Sequence, residues 1–153
     1  MRLSVATILD SSESIVRSRA PRRNIIIERE LVGQLEIMAD EQGMRGVFVN
    51  LLENAVLQSE DPVQILVRGF RRGDAIVVEV EDRGRGIDPS IRGRLFEPFV
   101  SSRPGGTGMG LAMSRRIVEE HGGSLVLSSE GPQPTCFRLT IPAAVERADL
   151  LNI

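Results

Sequence analysis

The 153 residues suit one domain of ordinary size, with enough chain to bury a core without metal or disulfide staples. Apolar residues make up 41% and charged ones 26%, the balance of a soluble folded chain rather than a disordered or membrane-spanning one. Nineteen basic against 21 acidic residues leave a net charge of -2. That removes any electrostatic drive toward nucleic acid or an anionic membrane, and without Tyr or Trp the arginine pairs at 22–23, 71–72 and 115–116 read as solvated faces.

The first stretch, "MRLSVATILDSSES", lacks the unbroken apolar run of a signal peptide or membrane span. Val5, Ile8, Leu9, Ile15 and Val16 are spaced for an amphipathic helix. "NIIIEREL" changes period, and its three consecutive β-branched residues predict a strand. "QLEIMADEQGMRG" reads as a connection punctuated by Asp40 and Gly43. "VFVNLLENAVLQS" then has a strong helical period, with Asn50 and Asn54 four apart on a stripe at the margin of its apolar side.

"VQILVRGF" and "AIVVEVED", separated by "RRGD", predict a β-hairpin whose second strand delivers Asp82. After "PSIRGRLFEPF" and a glycine cluster, "GLAMSRRIVEEHGG" is helical and stops at Gly122 and Gly123. "SLVLSSE" and "CFRLTIP" supply two last strands. Cys136, the single cysteine, has no internal partner; it fits a reducing compartment and the role of a small buried hydrophobe. The order helix, strand, helix, hairpin, loop, helix, hairpin predicts an α/β chain with a mixed sheet and its helices on one face. Residues 1–145 form the domain, and 146–153 are a polar tail that dangles or docks elsewhere.

Glycines crowd two places, "DRGRGI" and "PGGTGMG". Such density points to backbone that approaches a ligand closely. The second cluster runs straight into a helix, whose unpaired first amides favour anionic oxygens. It lacks the GK[ST] of a Walker loop and the strand–turn–helix setting of a dinucleotide fold. By itself it is also compatible with a flexible loop that binds nothing.

In order, "NLLENA", "DRGRGI", "LFEPF" and "GGTGMGL" resemble the N box, first glycine box, F box and second glycine box of the GHKL ATP-binding domains, and specifically those of sensor histidine kinases. The resemblance spans about residues 3 to 142 and implies a two-layer α/β sandwich of the Bergerat type, with ATP and Mg²⁺ as its cofactors. It also implies the site. Asp82 would accept from the adenine amine, Gly84 and Gly86 would let the chain pass close to the base, and Ile87 would offer an apolar wall. Asn54 would be the metal ligand, a neutral oxygen suited to a hard cation. Gly106, Thr107, Gly108, Met109, Gly110 and Leu111 would line the nucleotide.

Asn50 stands where the ATP-hydrolysing relatives carry a glutamate that activates water, and an amide cannot take a proton. The resemblance therefore implies transfer of the γ-phosphoryl to a histidine outside this chain, with Asn50 steadying phosphates or metal; Arg103 either neutralises charge on the γ-phosphate or is a solvent-exposed loop arginine. Glu53 points around the helix and reads as surface, while Phe96 and Phe99 read as hinge packing for a lid. His121, the only histidine, lacks the setting of a phosphoacceptor and reads as structural at a helix end. Leu57 and Gln58 depart from the basic and aromatic or histidine residues usual there, which removes a phosphate contact.

The implied partners are ATP or ADP, the phosphoacceptor domain of the same parent kinase and a response regulator, with neither nucleic acid nor membrane contacted by this domain. The implied location is cytoplasmic, whether or not the parent kinase is anchored. The alternative is an anti-sigma-type serine kinase or nucleotide-sensing module acting on a protein partner; a clamp-type ATPase is disfavoured by Asn50.

Overall fold

Three helices lie over one face of a five-stranded sheet in the computed structural model, which describes residues 1–98 and 110–145. In chain order the elements are β1 (Arg2–Ser4), α1 (Val5–Arg19), β2 (Ile25–Leu31), β3 (Glu36–Met38), α2 (Glu41–Gln58), β4 (Val63–Arg72), β5 (Ala75–Asp82), a 3-10 turn at Arg92–Arg94, α3 (Gly110–Glu120), β6 (Ser124–Glu130) and β7 (Thr135–Pro142). The sheet order is β2-β4-β5-β7-β6; β2 and β4 are parallel and the remaining pairs antiparallel, so the sheet is mixed, as expected.

Period-two burial explains the layering. In β4, Val63, Ile65 and Val67 turn inward while the residues between them face out. β5 is buried almost continuously because its outer face is covered as well. There Glu79 is bracketed by the cross-strand arginines Arg68 and Arg138, with nitrogen–oxygen distances of 3.4 and 3.1 Å. α2 lies between α1 and α3 and supplies the centre of the core through Met44, Val47, Phe48, Leu51, Leu52 and Ala55.

Two elements were not expected. β1 and β3 pair antiparallel with each other, Arg2 opposite Met38, as a separate two-stranded sheet. At three residues each they are too short for any period to register, and each is stabilised by a partner far away in sequence. α2 also starts six residues earlier than the apolar pattern suggests. Asp40 is its N-cap rather than loop punctuation, its carboxylate accepting from the Gly43 amide at 2.8 Å.

Of the arginine pair at 22–23, Arg22 is exposed as expected, but Arg23 is no solvated side chain. Arg23 donates to the carbonyls of Val56 and Ser59 at the far end of α2 and pairs with Asp61 at 2.7 Å, holding that carboxyl below its usual range. A cation therefore completes a helix whose own last turn contains none.

Candidate functional site

β5 ends on Asp82, which is 3% exposed on the helix side of the sheet. One carboxylate oxygen accepts from the Gly84 amide at 2.8 Å, and burial pushes the group up to about 6. The loop after it threads between the end of α2 and the β6–β7 hairpin. The Arg85 amide donates to the Gln58 carbonyl (3.2 Å), and the Ile87 amide donates to the Glu130 carbonyl (3.0 Å). A side chain at 84 would begin 2.6 Å from the Gln58 carbonyl oxygen, and Gly86 sits at φ +84. Both glycines of "DRGRGI" are therefore demanded by the backbone itself. Ile87 is buried in the core beside them.

Next to Asp82 lies a residue that sequence reasoning missed. Thr135, first in β7, is directly opposite Asp82 in the ladder, so the two side chains share the inner face. It is fully buried, packs against Gly131, and its hydroxyl has no hydrogen-bond partner among the described residues. A buried hydroxyl without a partner is rare, and beside a desolvated carboxylate it makes a pair of polar groups suited to a ligand's polar edge. The available signal was register: a threonine heading the strand that pairs with the Asp82 strand.

The second half of the site is the amide stripe of α2. Asn54 is buried, and its Oδ1 accepts from Gln58 Nε2 at 3.4 Å. Asn50 turns toward α3, its Nδ2 donating to Gly110 O (3.3 Å) and to Ser114 Oγ (3.1 Å). Ser114, fully buried, was not singled out by sequence; at one turn beyond Gly110 it reads as an ordinary helix residue. Leu57 continues the stripe 55% exposed, so an apolar side chain stands where a cation was the usual expectation. Gln58 Oε1 is buried without a hydrogen-bond partner among the described residues.

The other expected residues divide plainly. Gly110 opens α3 against Asn50, and Leu111 packs on the core. Arg103, Gly106, Thr107, Gly108, Met109 and Phe99 lie outside the described residues, as does the expected tail at 146–153. Glu53 faces away from the site, paired with Arg19 at 2.8 Å. Phe96 packs edge-on against Phe137 with the Arg115 guanidinium over its ring, at centroid distances of 6.1 and 5.0 Å.

His121 is structural, in a way its charge did not suggest. Its Nδ1 faces the Ile117 carbonyl at 2.7 Å, and its Nε2 accepts from the Asp40 amide at 3.1 Å. That pairing requires the neutral ring with its proton on Nδ1 and leaves neither nitrogen free.

No cluster of three or more His, Cys, Asp or Glu side chains able to hold a metal exists among the described residues. A cation here would find amide oxygens from α2 and would need a ligand's own oxygens and water to complete its shell. Among those residues, no helix is long and apolar enough to cross a membrane.

Residues 39–145 match the family described as histidine kinase-, DNA gyrase B-, and HSP90-like ATPase. The chain is 37% identical over 123 residues to the alginate biosynthesis sensor protein KinB of Pseudomonas aeruginosa, covering 78% of this chain and 21% of that protein. It is 36% identical over 145 residues to the sensor protein TorS of Escherichia coli (strain K12), covering 92% of this chain and 16% of that one. It thus spans about a fifth or less of the length of either relative. Among solved structures, the mycobacterial sensor histidine kinase MprB superposes with a TM-score of 0.82 at 26% identity, over 95% of this chain and 99% of that one.

Proposed function

Because this chain belongs to the histidine kinase-, DNA gyrase B-, and HSP90-like ATPase family, we propose that it is the Mg·ATP-binding catalytic domain of a sensor histidine kinase, delivering the γ-phosphoryl group to a histidine on another domain. The observation that carries the reading is the Asp82 end of the site. A desolvated carboxylate with one oxygen spare and a partnerless hydroxyl, walled by Ile87 and approached over two bare glycines, matches the amine-bearing edge of adenine.

The donor set fits a metal–nucleotide as well. Asn54 Oδ1 is a neutral oxygen of the kind Mg²⁺ accepts, one contact among several supplied by phosphates and water. When bound, Mg²⁺ neutralises phosphate charge as the phosphoryl group departs. Asn50 adds position and no proton transfer, since an amide is not a base. Glu53, the carboxylate nearest it in sequence, is engaged by Arg19 on the other side of the helix. Water is thus left unactivated, which favours transfer to an imidazole over hydrolysis. Arg103 would face the γ-phosphate, residues 106–111 would line the phosphates, and 146–153 would form a tail outside the domain. The parent kinase would contribute the phosphoacceptor histidine and pass the phosphoryl group to a response regulator, all on the ATP-containing cytoplasmic side.

Calorimetry on this chain with ATP, ADP and a non-hydrolysable analogue, with and without Mg²⁺, tests the reading, together with an assay for released phosphate. Saturable binding without multiple turnover is expected, with binding abolished in Asp82→Ala. Silence toward all three nucleotides, or steady hydrolysis by the isolated chain, overturns it.

A further inference from the structure

Asn50 and Asn54 occupy one stripe of α2, yet their amides are held differently. Gly110 O is a backbone carbonyl and can only accept, so the atom of Asn50 that faces it has to be the nitrogen. Ser114 Oγ takes the second hydrogen of the same NH₂, by the shorter of the two contacts, 3.1 against 3.3 Å. Both donors are spent on α3. Among the described residues, Oδ1 accepts no hydrogen bond.

We infer that Ser114 is a positioning residue for the metal–nucleotide: together with Gly110 O it immobilises Asn50 Nδ2, so that Asn50 meets the ligand only as an acceptor, on the side of the cation and its water, and never as a donor to phosphate oxygen. The inference rests on the proposed nucleotide reading. It separates roles that the amide type alone leaves open, since an unanchored asparagine presents donor and acceptor equally. The helix geometry supports it, because Ser114 lies one turn past Gly110 and both contacts come from one face of α3. Ser114 is completely buried, so the anchoring hydroxyl has no competing water. Residues that orient a metal's partners in this manner typically change metal affinity by about tenfold or more when removed.

The test has two arms on the full chain. In nucleotide-free protein, the Asn50 side-chain amide protons, followed by ¹⁵N NMR, are expected to exchange slowly with solvent in the wild type and faster in Ser114→Ala. By calorimetry, Ser114→Ala is expected to leave ATP affinity in EDTA unchanged while cutting the gain on adding Mg²⁺ by about tenfold. In an Asn50→Ala background, Ser114→Ala should have no further effect on that gain. Equal loss with and without Mg²⁺, a loss that persists in the Asn50→Ala background, or an unaltered Mg²⁺ gain overturns the inference. Fast exchange in the wild type overturns it too. A wild type that binds no nucleotide at all defeats the proposed function instead, and the exchange arm is read independently of that result.

Discussion

The two ends of the site are built from different materials. Around Asp82 the geometry is in the main chain: a strand end, two glycines against neighbouring carbonyls and a ladder partner, Thr135, fixed by register. Along α2 it is in side chains, a row of amides ending in Leu57 and Gln58, where substitution alters chemistry without moving the backbone. On the proposed reading, base recognition would thereby be hard to change, and handling of the phosphates and cation would be open to adjustment.

The largest effect should come from breaking the main-chain end. Gly84→Ala puts a methyl 2.6 Å from the Gln58 carbonyl, so the loop and the end of α2 must separate. Nucleotide affinity is expected to fall by about 100-fold or more, with stability down by about 1–3 kcal/mol. Gly93→Ala, where an added Cβ meets nothing within 4 Å, is the control and should change neither. Equal effects of the two variants in calorimetry and thermal melts would erase the distinction.

Asp82→Asn probes the energetic cost at the same end. The folded carboxyl titrates at about 6 against an ordinary 3.8, so between those values the folded state holds more protons than the unfolded one. Stability therefore declines as pH rises through that window and stays lower at pH 7. A neutral amide removes the penalty, and Asp82→Asn should be more stable than wild type by on the order of 3 kcal/mol at pH 7, with no advantage below about pH 4. Urea unfolding at the two pH values decides it; a gap that does not vary with pH would sink the account.

The smallest effect belongs to the adjustable end. Leu57→Arg restores a cation to an exposed stripe and should strengthen ATP binding several-fold, by about 0.5–1 kcal/mol, while adenosine affinity stays constant. Tighter adenosine binding in the same titration would show that the two ends are not separable.

The same division explains what the residues announced beforehand. Asp82, Gly84, Gly86 and Asn54 could be picked out because their chemistry is unusual for their local position. Thr135 and Ser114 could not, since each is ordinary in its own strand or helix and acquires meaning from a partner more than 50 residues away, Asp82 or Asn50. The helices and hairpins followed their periods, and the sheet came out mixed as the element order required. β1 and β3 escaped because three-residue strands carry no period, and the early start of α2 because the signal lay in the Asp40 cap and not in apolar spacing. Arg23 and His121 were assigned to solvent and to helix charge, yet both serve as hydrogen-bonding partners for α2, one at each end.

The contacts between α2 and α3 form a two-pin coupling. His121 pins the end of α3 to the start of α2, and Ser114 with Gly110 pins its beginning near the middle, about ten residues along. A helix advances roughly 1.5 Å per residue, so even a one-residue slide would unseat both pins together. The register of α3 on α2 is therefore fixed at two separate points along both helices.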